Sequence, residues 1–280
     1  MIWQLAKHWP AVDVRGAPDP ELVIAAADEF SPTAVDERND SVRLFFATKS
    51  DRDAACATLA ERYVVEPIDV DDEDWARRSQ QNLAAITVGR LTVLPNPESP
   101  IPNPGGMRII IQPSMGFGTG HHATTRLCLA ALQIVDLTNA FVLDVGTGSG
   151  VLAIAAARLG AVRALGIDSD ADAIRSAHDN LALNPGIRDV AFETADLTST
   201  ALPTADVVTA NLTGALLVRA AASLAGAVRP GGTLILGGLL THERAEVLHA
   251  FAGLELLWEK EEDGWLGLAF GSPLQAESRL

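Results

Sequence analysis

The sequence has little cysteine: its 280 residues carry two, Cys56 and Cys128, far apart and in no CxxC pair. That argues against a disulfide framework and a cysteine metal site, and each reads as a buried free thiol. Basic side chains are scarce too, 21 Lys and Arg against 36 Asp and Glu, for a formal net charge of −15. A surface that tracks phosphates needs clustered cations, so direct nucleic-acid binding is not expected, whereas a basic protein partner would be steered toward the chain. No apolar run approaches the roughly 20 residues of a membrane-spanning helix. The start, MIWQLAKHWPAVDV, lacks the basic and then long apolar regions of a secretory signal. The expected setting is the cytoplasm, with no membrane partner, and the expected state is a monomer.

What is present describes an ordinary globular chain, 48% hydrophobic and 20% charged, long enough for two domains. The first 70 residues alternate β-like runs (42–47, 63–68) with helical patterns (20–30, 51–61). Such a β-α-β-β-α-β series predicts a small α+β, ferredoxin-like domain. The acidic run Asp69, Asp71, Asp72, Glu73 and Asp74 reads as the solvated start of a further helix that carries Trp75 toward Leu83, its carboxylates favouring the positive end of the helix dipole. Residues 86–94 read as extended, and PNPESPIPNPGG, five prolines in twelve residues, as a stiff linker. The expected division is a domain at 1–70, a linker at 71–106 and a second domain at 107–280.

From Met107 strands alternate with helices through RIIIQP, FVLDV, RALGID, VAFETAD, ADVVTANL and GTLILGG. This predicts an α/β fold, a doubly wound, mostly parallel seven-stranded sheet with ligands at the carboxyl ends of its strands. Two last β-like runs, 254–260 and 265–270, flank EEDG and predict a closing hairpin.

The stretch FVLDVGTGSGVLAIAAA, Phe141 to Ala157, runs from a strand through a turn with three glycines into an alanine-rich helix. Backbone N–H groups of such a turn can approach a ligand closely. The dinucleotide fingerprint G-x-G-x-x-G/A does not fit: Gly146 and Gly148 match, but the third position is Val151, and the glycine comes one residue early at Gly150. D-V-G-T-G-S-G instead resembles the first motif of the S-adenosylmethionine methyltransferases, whose sheets close with such a hairpin. That resemblance implies close approach of the cofactor's methionine part at Gly146 and Gly148, with Asp144 accepting from its amino group directly or through water.

RALGIDSD puts Asp168 at the end of the next strand, where an acidic side chain accepts from both ribose hydroxyls; NAD enzymes use the same device. ETADL puts Asp196 after the following strand, either as acceptor for the adenine amino group or as a helix N-cap. ADVVTANLTG ends a strand at Asn211, where a reacting group would sit. Methyltransferases of bases or glutamine carry Asn/Asp-Pro-Pro-aromatic there. Here Leu212, Thr213 and Gly214 follow, with no ring on which a flat base would stack. A plain turn or cap role for Asn211 stays open.

Upstream, PSMGFGTGHHATT is a glycine-rich loop entering a helix, with Thr124 or Thr125 capping or lining its start and Phe117 covering the methionine end of the cofactor. Adjacent His121 and His122 point to different sides and have no further His or Cys nearby, so no metal is expected. In order and at matching spacing, FGTGHHATT, VLDVGTGSG, GIDSD, ANL and GGTLILGGLL resemble the lysine methyltransferases of ribosomal large-subunit protein eleven, from about Trp75 to the C terminus. The usual loop there is F-G-T-G-T-H-P-T-T, so this chain departs at His121 and Ala123. It departs again at Ser79, Gln80, Leu83, Ala85 and Thr213, on the acceptor side of the expected site rather than the cofactor side.

The resemblance implies S-adenosyl-L-methionine as cofactor, a basic ribosomal protein as substrate gripped by the first domain, and cofactor contacts at Thr125, Gly146, Asp168 and Asn211. The full expected cofactor set adds Phe117, Gly118, Thr119, Asp144, Gly148 and Asp196. Asn211 and the Leu212 carbonyl are expected to orient the reacting amine. Three other readings stay open: the same chemistry on another protein or small amine, a nicotinamide oxidoreductase, and a binding module without turnover.

Overall fold

The computed structural model describes residues 8–16, 20–27, 30, 32–37, 40–71, 84–102, 105–112 and 122–273. They form two compact units, one holding the described residues up to Asp71 and the other those from Ala84 onward.

The first unit runs β1 (His8–Arg15), α1 (Pro20–Ala27), β2 (Ala34–Glu37), β3 (Ser41–Phe45), α2 (Lys49–Leu59) and β4 (Val64–Asp71). Its strands pair antiparallel in the order β2-β3-β1-β4. Alternation along β1 sends Val12 and Val14 to one face, where they close a core with Val23 and Ala27 of α1 and Ala55 and Leu59 of α2. Trp9 and Ala11 go to the other face with Phe45. Thr48 caps α2 by accepting from the Asp51 amide at 3.1 Å.

The acidic run departs from its expected role as a helix start. Asp69 and Asp71 belong to strand β4. Asp69 accepts from Lys49 Nζ at 2.7 Å and Arg52 Nη1 at 2.9 Å, and these cations, Lys49 first, hold its pKa below the usual carboxylate value. Asp72, Glu73, Asp74 and the expected helix toward Leu83 lie outside the described residues. Cys56 is only half-buried, unlike Cys128, which is buried as expected.

The second unit opens with β5 (Ile86–Val88), β6 (Leu91–Leu94) and β7 (Met107–Ile110). Residues 86–94, expected to be extended within a linker, are extended but pair with the first strand of the expected second domain in a small sheet, β5 antiparallel and β7 parallel to β6. Leu91, Val93, Ile109 and Ile111 bury into the core of the larger sheet, and Gln133 ties the β5–β6 turn down by accepting from Arg90 N and donating to Val88 O. The five prolines of the expected spacer fall between β6 and β7 in sequence, and the strands themselves are proline-free runs with buried apolar side chains.

Then come α3 (Ala123–Leu132), β8 (Phe141–Val145), α4 (Val151–Leu159), β9 (Arg163–Asp168), α5 (Ala171–Ala182), β10 (Val190–Thr194) and β11 (Ala205–Asn211). They are followed by α6 (Gly214–Arg219), α7 (Ala221–Ala227), β12 (Val228–Leu240), a short turn of 3-10 helix, α8 (Arg244–Ala250), β13 (Glu255–Glu262) and β14 (Trp265–Gly271). The result is an α/β fold with a mixed seven-stranded sheet in the order β10-β9-β8-β11-β12-β14-β13. Strands β8 to β12 run parallel, and β14 pairs antiparallel with both β12 and β13. Two apolar layers cover it, one around α3, α4 and α5 and one around α6, α7 and α8. The closing hairpin turns on Asp263 and Gly264, both at positive φ, as a two-residue turn that follows strand twist requires.

No helix among the described residues is long and apolar enough to cross a membrane.

Candidate active site

The turn after β8 has Gly146, Gly148 and Gly150 at φ of +70°, +52° and +81°, a region costly for side chains with a Cβ. A Cβ at Gly146 would also collide with the Leu212 side chain, and one at Gly150 would lie 2.8 Å from Phe192 Cζ. The glycines therefore serve shape as well as access. Backbone bonds pin the turn: Gly146 N and Thr147 N both donate to Ile167 O at 2.9 Å, and Gly150 N donates to Thr147 O at 2.9 Å.

Asp168, at the end of β9, braces the same turn. Its Oδ2 accepts from Gly148 N and its Oδ1 from Asp170 N, each at 3.0 Å. Each carboxylate oxygen has two lone-pair directions, so one on each oxygen remains for a ribose hydroxyl. The glycine backbone and this carboxylate fit an S-adenosyl nucleoside.

Asp144, expected to accept from the cofactor's amino group directly or through water, has both carboxylate oxygens engaged within the protein. It is 1% exposed. Its Oδ2 accepts from Thr147 Oγ1 and its Oδ1 from Thr209 Oγ1, both at 2.6 Å. Burial pushes its pKa up to about 6, against the lowering effect of the two hydroxyls. The carboxyl thus works from beneath the turn. Its partner Thr209 stands opposite it in the β8–β11 register, a relation that no local pattern reveals.

Asp196 is not a helix N-cap. Its Oδ1 accepts from both the amide and the hydroxyl of Thr198, at 2.8 and 2.7 Å, which lowers its pKa and folds a tight side-chain turn. Ala195 N bonds Asp168 O at 2.8 Å, so this turn follows directly on the Asp168 strand end.

Asn211 ends β11 and donates from Nδ2 to the buried Thr125 Oγ1 at 3.3 Å. Beside it, β12 bulges at Gly237 and Gly238. Leu212 N donates to Gly237 O at 3.1 Å, and a Cβ at Gly238 would strike the Leu212 carbonyl. The two glycines let β12 close over the Asn211–Leu212 backbone, while the Leu212 side chain reaches Gly146. The elements carrying the glycine turn, Asp168 and Asn211 are thereby joined.

Thr124 and Thr125, expected to cap or line the start of α3, lie buried in its first turn, and the cap is His122, whose Nδ1 accepts from Thr124 N at 3.4 Å while its ring meets Trp265 edge-on at 4.9 Å. Burial, then the Arg126 charge, lowers its pKa. Phe117, Gly118, Thr119 and His121 lie outside the described residues, as do Ser79, Gln80 and Leu83. Sequence reasoning passed over Thr147, Thr209 and Gly237–Gly238 as site residues; the visible signal was a hydroxyl between the turn glycines for Thr147, and polar or glycine residues inside otherwise apolar strands for the others.

A sheet wound in this order, closed by an antiparallel hairpin and carrying a glycine turn after its first parallel strand, belongs to the S-adenosylmethionine-dependent methyltransferase class. The family model described as Ribosomal protein L11 methyltransferase (PrmA) matches residues 22–272. A ribosomal protein L11 methyltransferase of Geobacter metallireducens is 44% identical over 208 residues, which make up 71% of this chain and 66% of that protein. Its counterpart in Pelobacter propionicus is 37% identical over 267 residues, 88% of this chain and 84% of that protein. The crystal structure of a ribosomal protein L11 methylase from Lactobacillus delbrueckii subsp. bulgaricus, 27% identical, covers 68% of this chain and 98% of its own with a TM-score of 0.62. The chain belongs to the ribosomal protein L11 methyltransferase family.

Proposed function

We propose that this chain transfers methyl groups from S-adenosylmethionine to lysine or chain-terminal amino groups of ribosomal large-subunit protein eleven. The observation that carries this reading is the junction of the glycine turn, Asp168 and the Asn211–Leu212 strand end in a member of that family. Gly146 and Gly148 hold the methionine part, Asp168 takes the ribose hydroxyls, and Asp196 receives the adenine amino group through Oδ2. Phe117, Gly118, Thr119 and Thr125 complete the proposed cofactor-binding set.

When bound, the sulfonium supplies an electrophilic methyl carbon, whose bond to sulfur breaks as the amine lone pair bonds to it. A lysine of reference pKa about 10.4 must first lose its proton, at roughly 4 to 5 kcal/mol at pH 7. Burial beside a cation lowers that pKa and removes part of the cost. Among the described residues that touch Asn211, Thr125, Leu212 and Gly237 offer no base, and burial drives the neighbouring Cys128 thiol far up in pKa. The proton leaves to water before the amine enters. Thr125 occupies Asn211 Nδ2, which leaves Oδ1 to orient the amine, with the Leu212 carbonyl as second acceptor.

We read the first unit as a ferredoxin-like domain, a reading supported by its strand order and antiparallel pairing, and assign it the recognition of a basic substrate. The same reading places the protein in the cytoplasm as a monomer that makes no direct nucleic-acid contact.

Mass spectrometry of purified ribosomal proteins after incubation with enzyme and S-adenosylmethionine tests this. Methyl increments are expected on protein eleven. Increments only on another protein would move the acceptor. NADH binding without S-adenosylmethionine binding would restore the oxidoreductase reading, and cofactor binding without any transfer would leave a binding module.

A further inference from the structure

We propose that Asn180 is a positioning residue for the nucleoside site, holding the glycine turn and the chain beyond β7 with one side-chain amide. The proposal rests on the methyl-transfer reading above. Helix α5 lies under the turn: Ala177 Cβ would be 3.0 Å from a Cβ at Gly150. One turn along, Asn180 is 2% exposed. Its Nδ2 donates to Ser149 O at 2.9 Å, and its Oδ1 accepts from Gln112 N at 2.8 Å.

Just past the end of α5, Asn184 is 3% exposed. Its Oδ1 accepts from Ile110 N at 2.9 Å, and its Nδ2 donates to Ile110 O and to Asn180 O, both at 2.7 Å. The two amides thus serve the free edge of β7 as a neighbouring strand would, opposite β6. Both are satisfied at each end, the condition under which a buried polar network rigidifies its surroundings.

The partners separate the two roles. Among the described residues the Asn184 side chain bonds Ile110 and the Asn180 carbonyl, whereas the Asn180 side chain reaches the turn. Ser149 lies between Gly148, whose amide holds Asp168, and Gly150, whose φ of +81° tolerates little drift. Releasing the Ser149 carbonyl therefore shifts the Gly148 amide and with it the carboxylate that meets the ribose. Asn184 secures the strand; Asn180 sets the geometry of the ligand.

Titration calorimetry with S-adenosylhomocysteine, paired with thermal unfolding of the full chain, tests this. Asn180→Ala, and Asn180→Asp, which keeps an acceptor for Gln112 but has no donor for Ser149, should each weaken binding about tenfold. Asn184→Ala should lower Tm at least as much while Kd stays within about twofold. Losses of affinity that track Tm equally at both positions would overturn the positioning role. Absence of S-adenosylhomocysteine uptake by the unaltered protein would overturn the methyl-transfer reading instead. Should the Asn180 variants not fold, hydrogen exchange on the unaltered chain decides: S-adenosylhomocysteine should protect the Gln112 amide more than the Ile110 amide, and equal protection would refute the proposal.

Discussion

Replacing Asp144 by Asn is expected to stabilise the protein at neutral pH while weakening its hold on a cationic nucleoside. The carboxyl is 1% exposed and its pKa rises to about 6 from 3.8, burial outweighing the Thr147 and Thr209 hydroxyls. The folded state therefore binds this proton more tightly than the unfolded chain does. The group's contribution to stability is complete below about pH 4 and is lost as the pH rises through about 6. A shift of about two units at 1.36 kcal/mol each makes the buried charge cost about 3 kcal/mol at pH 7. Asparagine keeps the shape without the charge, but one of its two hydroxyl partners must turn to accept from the amide, at a cost of about 1 kcal/mol.

The variant should accordingly be about 2 kcal/mol more stable than the unaltered protein above pH 6, and about 1 kcal/mol less stable below pH 4. Urea unfolding of both proteins at pH 4 and pH 7 checks this, because other titrating groups cancel in the difference. A difference that does not change with pH would refute the reasoning. The charge has a counterpart in function: S-adenosylmethionine is positive at sulfur and S-adenosylhomocysteine is not. A carboxylate beneath the turn attracts the first, so Asp144→Asn should cost it about fivefold in affinity relative to the second, worth about 1 kcal/mol. Equal changes for both ligands would show that Asp144 only shapes the turn.

Asp168→Ala removes two acceptors for the ribose and the brace on Gly148; it should raise Kd for S-adenosylhomocysteine about 100-fold, read by calorimetry, with kcat at saturating cofactor within about tenfold. Asn211→Ala should do the reverse, lowering kcat about 100-fold in a labelled-methyl assay and changing that Kd less than about fivefold. Gly146→Ala forces a Cβ into both a positive φ and the Leu212 side chain, at about 2 to 4 kcal/mol in denaturant unfolding. Adding Leu212→Ala should recover the packing part and leave the backbone part, and no recovery would show that the two residues do not meet.

The second unit was legible because its determinants are local. Buried parallel strands are short apolar runs, as in FVLDV and DVVTAN, and a turn with three glycines between strand and helix has few uses. Asp168 was placed correctly at a strand end, because the end of RALGID is marked by the loss of apolar residues. What stayed hidden depends on register and on contacts far along the chain. The hydroxyl that meets Asp144 Oδ1 comes from Thr209, 65 residues later and opposite it in the sheet register. Residues 86–94 read as extended, but that they pair into a sheet and bury Leu91 and Val93 depends on strand β7 and on helices that come later.

The asparagines at the end of α5 show where the limit lies. Asn180 stands on a helix face that includes Ala177, with Asn184 just past the helix end, although asparagine is a poor helix former and costly to bury. That conflict between propensity and pattern is readable from the sequence, and it marks a side chain with a distant partner. It does not say which one. The acceptor and donor are main-chain groups of Gln112 and Ser149, which any residue type would supply, so no choice of residue at those positions points back to Asn180. A side chain that recognises backbone writes only half of its contact into the sequence, and the other half exists only once the fold has formed.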